Sequence, residues 1–121
     1  MKEYVSYEVA KLLREKGYNE PTKGFYTTQG LFSYGVSDIT NAKRNIYNYI
    51  SAPSLAQASK WLRESKSIDV LPKLTDNEYY KRYRYLVYRY GELKNVHCQP
   101  SGFGTYEESL NEGIKEALKF I

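Results

Sequence analysis

The run from Tyr79 to Tyr90, YYKRYRYLVYRY, is where residue type and spacing point most directly to chemistry. Aromatic rings presented on a sheet stack against nucleobases, at about 1–3 kcal/mol per base, while a guanidinium group binds phosphate through paired hydrogen bonds. In an extended backbone successive side chains alternate between faces. Arg82, Arg84, Leu86, Tyr88 and Tyr90 then share one face, and Tyr83, Tyr85 and Val87 share the other. The first face supplies the candidate ligand-binding residues, Arg82, Arg84, Tyr88 and Tyr90. The chemistry they offer suits a nucleotide, single-stranded nucleic acid or an acidic protein. Plainer readings stand beside this one. Long amphipathic side chains on a solvated strand can simply cover a small core. Lys81 and Arg89, on an edge strand, would guard against edge-to-edge pairing. A tyrosine-rich strand also suits pairing across a dimer axis, because aromatic residues and Arg are enriched in interfaces.

Other chemistries find little support. The chain has one histidine, His97, and one cysteine, Cys98. Two such residues do not complete a zinc site. As neighbours in an extended segment they point apart, which does not suit a Cys–His catalytic pair. Asp38, Asp69, Asp76 and Glu78 lie in separate segments, with no spacing that singles out an acid–base pair. The loop SGFGTYEE matches neither phosphate-binding glycine motif, and Glu107 and Glu108 in the next helical turn would repel phosphate. It reads as a turn followed by a helix cap. The first helix faintly resembles the opening of a helix-turn-helix, but Pro21 and an aromatic stretch follow where a recognition helix is needed. No catalytic residue, metal or cofactor is therefore expected.

The Tyr/Arg run needs a sheet to hold it. Thr75 and Glu78 fit a helical capping box, and Tyr79, Tyr83, Leu86, Val87 and Tyr90 fall on a helical stripe. The aromatic and β-branched content favours a strand over about Tyr80–Tyr90, with a turn at Gly91-Glu92 and a partner over Asn95–Gln99. Ahead of it, Ser54 and Gln57 form a capping box, and Leu55, Ala58, Trp61 and Leu62 make a helical stripe. A strand of Ile68, Val70 and Leu71 follows, ended by Pro72. Near the start, Ser6 caps a helix with Val9, Leu12 and Leu13 on one side, Val5 staples against Ala10, and Gly17 stops it. Residues 24–35 read as a hairpin about Gln29-Gly30. The polar stretch Ser37–Asn48 carries no clear signal, with Ile46, Tyr47, Tyr49 and Ile50 as a short closing strand. Thr105 and Glu108 cap a final helix striped by Leu110, Ile114, Ala117, Leu118 and Ile121, with Phe103 as an upstream anchor.

The order α-β-β-α-β-β-β-α predicts an α+β fold: a mainly antiparallel sheet of about four or five strands, covered on one face by three helices. The length of 121 residues predicts a single domain. With 18 basic and 14 acidic residues, the net charge of +4 permits a polyanionic partner without demanding one. Tyrosine is the outlier, with 14 against 4 Phe and 1 Trp, and it suits half-wet surfaces and stacking platforms. No apolar run approaches a membrane span and the start lacks a signal-peptide pattern, so no membrane partner and a cytoplasmic location are expected. The lone cysteine agrees with a reducing compartment.

Three segments, YVSYEVAKLLREKGYNEP at 4–21, APSLAQASKWLRE at 52–64 and TYEESLNEGIKEALKFI at 105–121, together resemble a family of small uncharacterised proteins of gut Bacteroidales and their phages. The resemblance implies a shared helical frame around a changeable, strand-like middle. It brings no activity, cofactor or site residue with it. The expectation it frames is a non-enzymatic phage or prophage protein. Its Tyr/Arg sheet would bind an anionic, ring-bearing ligand: single-stranded nucleic acid, or a nucleotide signal sequestered in counter-defence. The alternative is a protein–protein module or homo-oligomer whose same surface meets a host protein or a second copy.

Overall fold

The computed structural model describes residues 3–75, 82–96 and 102–121. The fold is α+β, built on two three-stranded antiparallel sheets rather than one larger sheet. The chain divides into two compact units, Met1–Ala58 and Ser59–Ile121.

In the first unit, α1 spans Tyr7–Glu15, and the Ser6 hydroxyl accepts from the Val9 amide as the expected cap. Val5, Val9, Ala10 and Leu13 are buried, as the stripe and staple require. Strands β1 (Thr22–Tyr26) and β2 (Phe32–Ile39) form the hairpin. Its turn places Gly30 at φ 77°, a left-handed conformation that glycine adopts without penalty. The short strand β3 (Ile50–Ser51) pairs with the other side of β1, giving the order β2-β1-β3. The expected closing strand is thus shorter than the sequence suggested. Ile46 and Tyr47 lie instead in a 3-10 turn, Asn45–Tyr47, after the one-turn helix α2, Asn41–Arg44.

Buried polar groups fix that polar stretch. Asn41 donates to the Tyr18 carbonyl and accepts from the Ser51 amide. The guanidinium of Arg44 donates to Thr22 Oγ1 (2.7 Å), Ile39 O (2.8 Å), Ser51 Oγ (2.8 Å) and Thr22 O (2.7 Å), and lies over the Phe25 ring. These contacts tie all three strands together. Those to Thr22 and Tyr18 span 22 and 23 residues, and the nearer ones, at 5, 7 and 10 residues, match no helix or strand period, so local pattern did not show them.

Helix α3, Leu55–Lys66, contains the division between the units. Its capping box is complete: Gln57 N donates to Ser54 Oγ and Ser54 N donates to Gln57 Oε1. Leu55, Ala58, Trp61 and Leu62 are buried.

In the second unit, β4 (Ile68–Leu74), β5 (Tyr83–Arg89) and β6 (Glu92–Val96) lie in sequence order with β5 central. Strand β4 runs through Pro72 instead of ending there. As an edge strand it tolerates the missing amide hydrogen. The β5–β6 turn is Tyr90-Gly91, both at positive φ. Helix α4, Tyr106–Ala117, begins at Thr105, whose hydroxyl accepts from the Glu108 amide. It packs on β4 and β5, with Gly113 against Val70 and Tyr85. Ile68, Val70, Tyr85 and Val87 are buried on this face.

Candidate functional site

The strand reading of the Tyr/Arg run holds over Tyr83–Arg89, and the predicted alternation holds with it. The rival helical box reaches Glu78, and residues 76–81, 97–101 and 1–2 lie outside the described residues, as do Lys81, His97 and Cys98. Tyr85 and Val87 turn toward α4, and Tyr83 meets the Tyr106 ring edge-on at 5.9 Å. Arg89 belongs to this inner side: its guanidinium donates to the Phe120 carbonyl. Because β5 is the central strand, Arg89 does not guard a sheet edge.

The opposite face can be read from the registers. Lys73 pairs with Arg84, Leu71 with Leu86, and Asp69 with Tyr88. On the other flank Val96 pairs with Leu86, and Leu93 with Tyr88 after a bulge. Three rows result, each about 7 Å from the next along the strands. The first holds two cations, the second is aliphatic, and the third sets the Tyr88 ring between Asp69 and Leu93. None of these residues is buried, and Leu71 and Leu93 are 48% and 50% exposed.

No protein-family model, curated protein or solved structure matches the chain.

The four residues singled out from sequence do not form one cluster. Arg84 and Tyr88 share the open face, with Leu86 between them. Arg82 precedes the strand, and its Nη2 donates to the Gly102 carbonyl at 3.2 Å, bracing the loop that leads into α4. Tyr90 sits in the turn at φ 52° and is 72% exposed, with the Arg89 guanidinium 5.2 Å from its ring centroid. Sequence reading missed Lys73, Leu71 and Leu93, which reach the site only through cross-strand register. A local pattern does not reveal that register.

The Lys73–Arg84 pair is electrostatically unusual. Like charges directly opposite on neighbouring strands destabilise a sheet. Among the described residues neither forms an ion pair with a carboxylate. Arg84 Nε is buried without a hydrogen-bond partner among the described residues, so a ligand on this face would meet the guanidinium at its Nη end. An anion placed over the two heads would relieve the repulsion. No group of three or more His, Cys, Asp or Glu poised to hold a metal occurs among the described residues. No described helix is long and apolar enough to cross a membrane.

Proposed function

We propose that the protein is a non-enzymatic binding protein whose second sheet takes a nucleotide-class ligand on its open face. The observation that carries this reading is the cross-strand pairing of Lys73 with Arg84 beside an aliphatic and aromatic bed. A phosphate would bridge the two cations. A base would lie over Leu86 and against Tyr88, one or two rows along. Asp69, at the far row, would accept from an amino edge of the base.

The same layout favours a single nucleotide over a nucleic acid strand. Strand binding needs cations that track a backbone through several phosphates. Here the cations stand at one end and a carboxylate at the other. Sequestration of a nucleotide signal in a phage setting is the biological form of this proposal, and it needs no catalytic group. A second reading rests on the exposure of Leu71 and Leu93: the face would then pair with a host protein or a second copy.

Thermal-shift titration with mononucleotides, cyclic dinucleotides, the matching nucleosides and inorganic phosphate tests the proposal. At a concentration near one hundred times Kd, a true ligand stabilises by about 2.7 kcal/mol. Nucleotides are expected to raise Tm, and nucleosides to do so far less. Lys73→Ala combined with Arg84→Ala should abolish the rise while the variant stays folded. Tyr88→Ala should weaken binding by roughly ten- to one-hundredfold, the value of one base stack. Absence of any nucleotide response, with dimerisation that Leu71→Lys prevents, would establish the second reading instead.

A further inference from the structure

The first unit carries a separate cleft of about 280 Å³, lined by Tyr4, Lys23, Gly24, Tyr34, Asp38, Ser54 and Gln57. It arises from an irregular register. Thr22 pairs with Ile39 and Gly24 with Tyr34, so Lys23 alone on β1 stands opposite Gly35, Val36, Ser37 and Asp38 on β2. The longer strand must bow outward, and Val36 at the crest is 98% exposed. Such bulges open space beside a sheet and re-aim side chains into it. Gly24, in the lining, lets β1 approach Ala52 closely, because a Cβ there would stand 2.7 Å from the Ala52 carbonyl oxygen.

The lining combines both charges. Lys23 and Asp38 border one cleft yet form no ion pair with each other, and Asp38 influences the buried Arg44 electrostatically without an ion-pair contact to it. The Ser54–Gln57 box uses Ser54 Oγ and Gln57 Oε1 as acceptors. The Ser54 hydroxyl proton and the Gln57 amide hydrogens remain as donors. Tyr4 and Tyr34 form a wall, their rings edge-to-face at 6.1 Å. Burial and the Tyr34 hydroxyl hold the Tyr4 phenol above its usual pKa.

We infer that this cleft binds a small zwitterion of the free α-amino acid class, its carboxylate toward Lys23 and the box donors and its ammonium toward Asp38. A simple anion would meet Asp38 and a simple cation would meet Lys23, whereas a ligand with both charges satisfies each. The volume, close to the lower limit of about 300 Å³ for ligand pockets, admits a single amino acid and little more.

Isothermal titration of the full chain with the free L-amino acids decides the matter. The best binder is then compared with its N-acetyl and methyl ester derivatives. Esterification and acetylation should each weaken binding about tenfold or more, the worth of one charged hydrogen bond. In Lys23→Gln the ester penalty should vanish, and in Asp38→Asn the acetyl penalty should vanish. Urea denaturation checks that both variants fold as the parent does. No heat from any free amino acid at millimolar concentration overturns the inference. So does binding that acetate or methylamine matches, or penalties unchanged in both variants. The Lys73→Ala, Arg84→Ala protein should bind the amino acid normally, which separates this site from the sheet face.

Discussion

Two arginines show how one residue type takes opposite roles. Arg44 is buried, and desolvation lowers its pKa against a partial offset from Asp38. Its cost is offset by hydrogen bonds to four oxygens, each of the kind worth about 1.5–3 kcal/mol when the donor is charged. Arg44→Met should leave the Thr22 and Ser51 oxygens without their donor and destabilise the fold by about 3 kcal/mol or more, read as a lower urea midpoint. Arg82 and Arg84 looked equivalent in sequence, two residues apart on one predicted face. Arg82 is committed to the Gly102 carbonyl, whereas Arg84 has no hydrogen-bond partner at Nε. Arg82→Ala should therefore cost about 1 kcal/mol of stability and leave nucleotide affinity unchanged. Loss of affinity with unchanged stability would return Arg82 to the site.

At the scale of elements, what the sequence disclosed is what lies within one segment. Ser6, Ser54 and Thr105 cap the helices where their neighbours' spacing predicts, and β5 alternates as its residues predict. What stayed hidden depends on distant partners: the split into two sheets, Lys73 opposite Arg84, and the bowing of β2 past Lys23. The helix–sheet contact in the second unit belongs to that hidden class too. Gly113 lies in the middle of α4, where helix propensity alone favours alanine by about 1 kcal/mol. A Cβ there would overlap Val70 Cγ1 and come within 3.2 Å of Tyr85. Val70 and Tyr85 are both buried, so neither side chain can give way toward solvent. Gly113→Ala should therefore destabilise by about 1–3 kcal/mol despite the better propensity. A raised urea midpoint would mean that α4 stands further from the sheet.

Across the whole molecule, the excess of tyrosine suggested wet surfaces, and that holds for Tyr34, Tyr47 and Tyr90, which are exposed. It fails for Tyr18, Tyr26 and Tyr85, which belong to the cores of the two units. The rings were legible as apolar area, but which phenols would be dehydrated was not. Tyr26 donates its hydroxyl to the Val5 carbonyl at 2.6 Å. Burial pushes the Tyr85 phenol up from 10.0 to about 12, helped by Glu116 and Glu112, and burial also raises Tyr18 and Tyr26. Below the ordinary phenol pKa both folded and unfolded chains keep these protons, and stability does not depend on them. Between pH 10 and 12 the unfolded chain releases protons that the folded chain retains, so stability falls as pH rises. The Tyr85 phenol contributes a slope of about 1 kcal/mol per pH unit over that window. Unfolding in alkali should accordingly be cooperative, with buried tyrosinate absorbance appearing together with loss of the circular dichroism signal. Tyr85→Phe removes one of the protons and should flatten the alkaline limb, whatever it does to stability at neutral pH. An unchanged limb in that variant, or full tyrosinate formation while the protein remains folded, would place the Tyr85 phenol in contact with water rather than between α4 and the sheet.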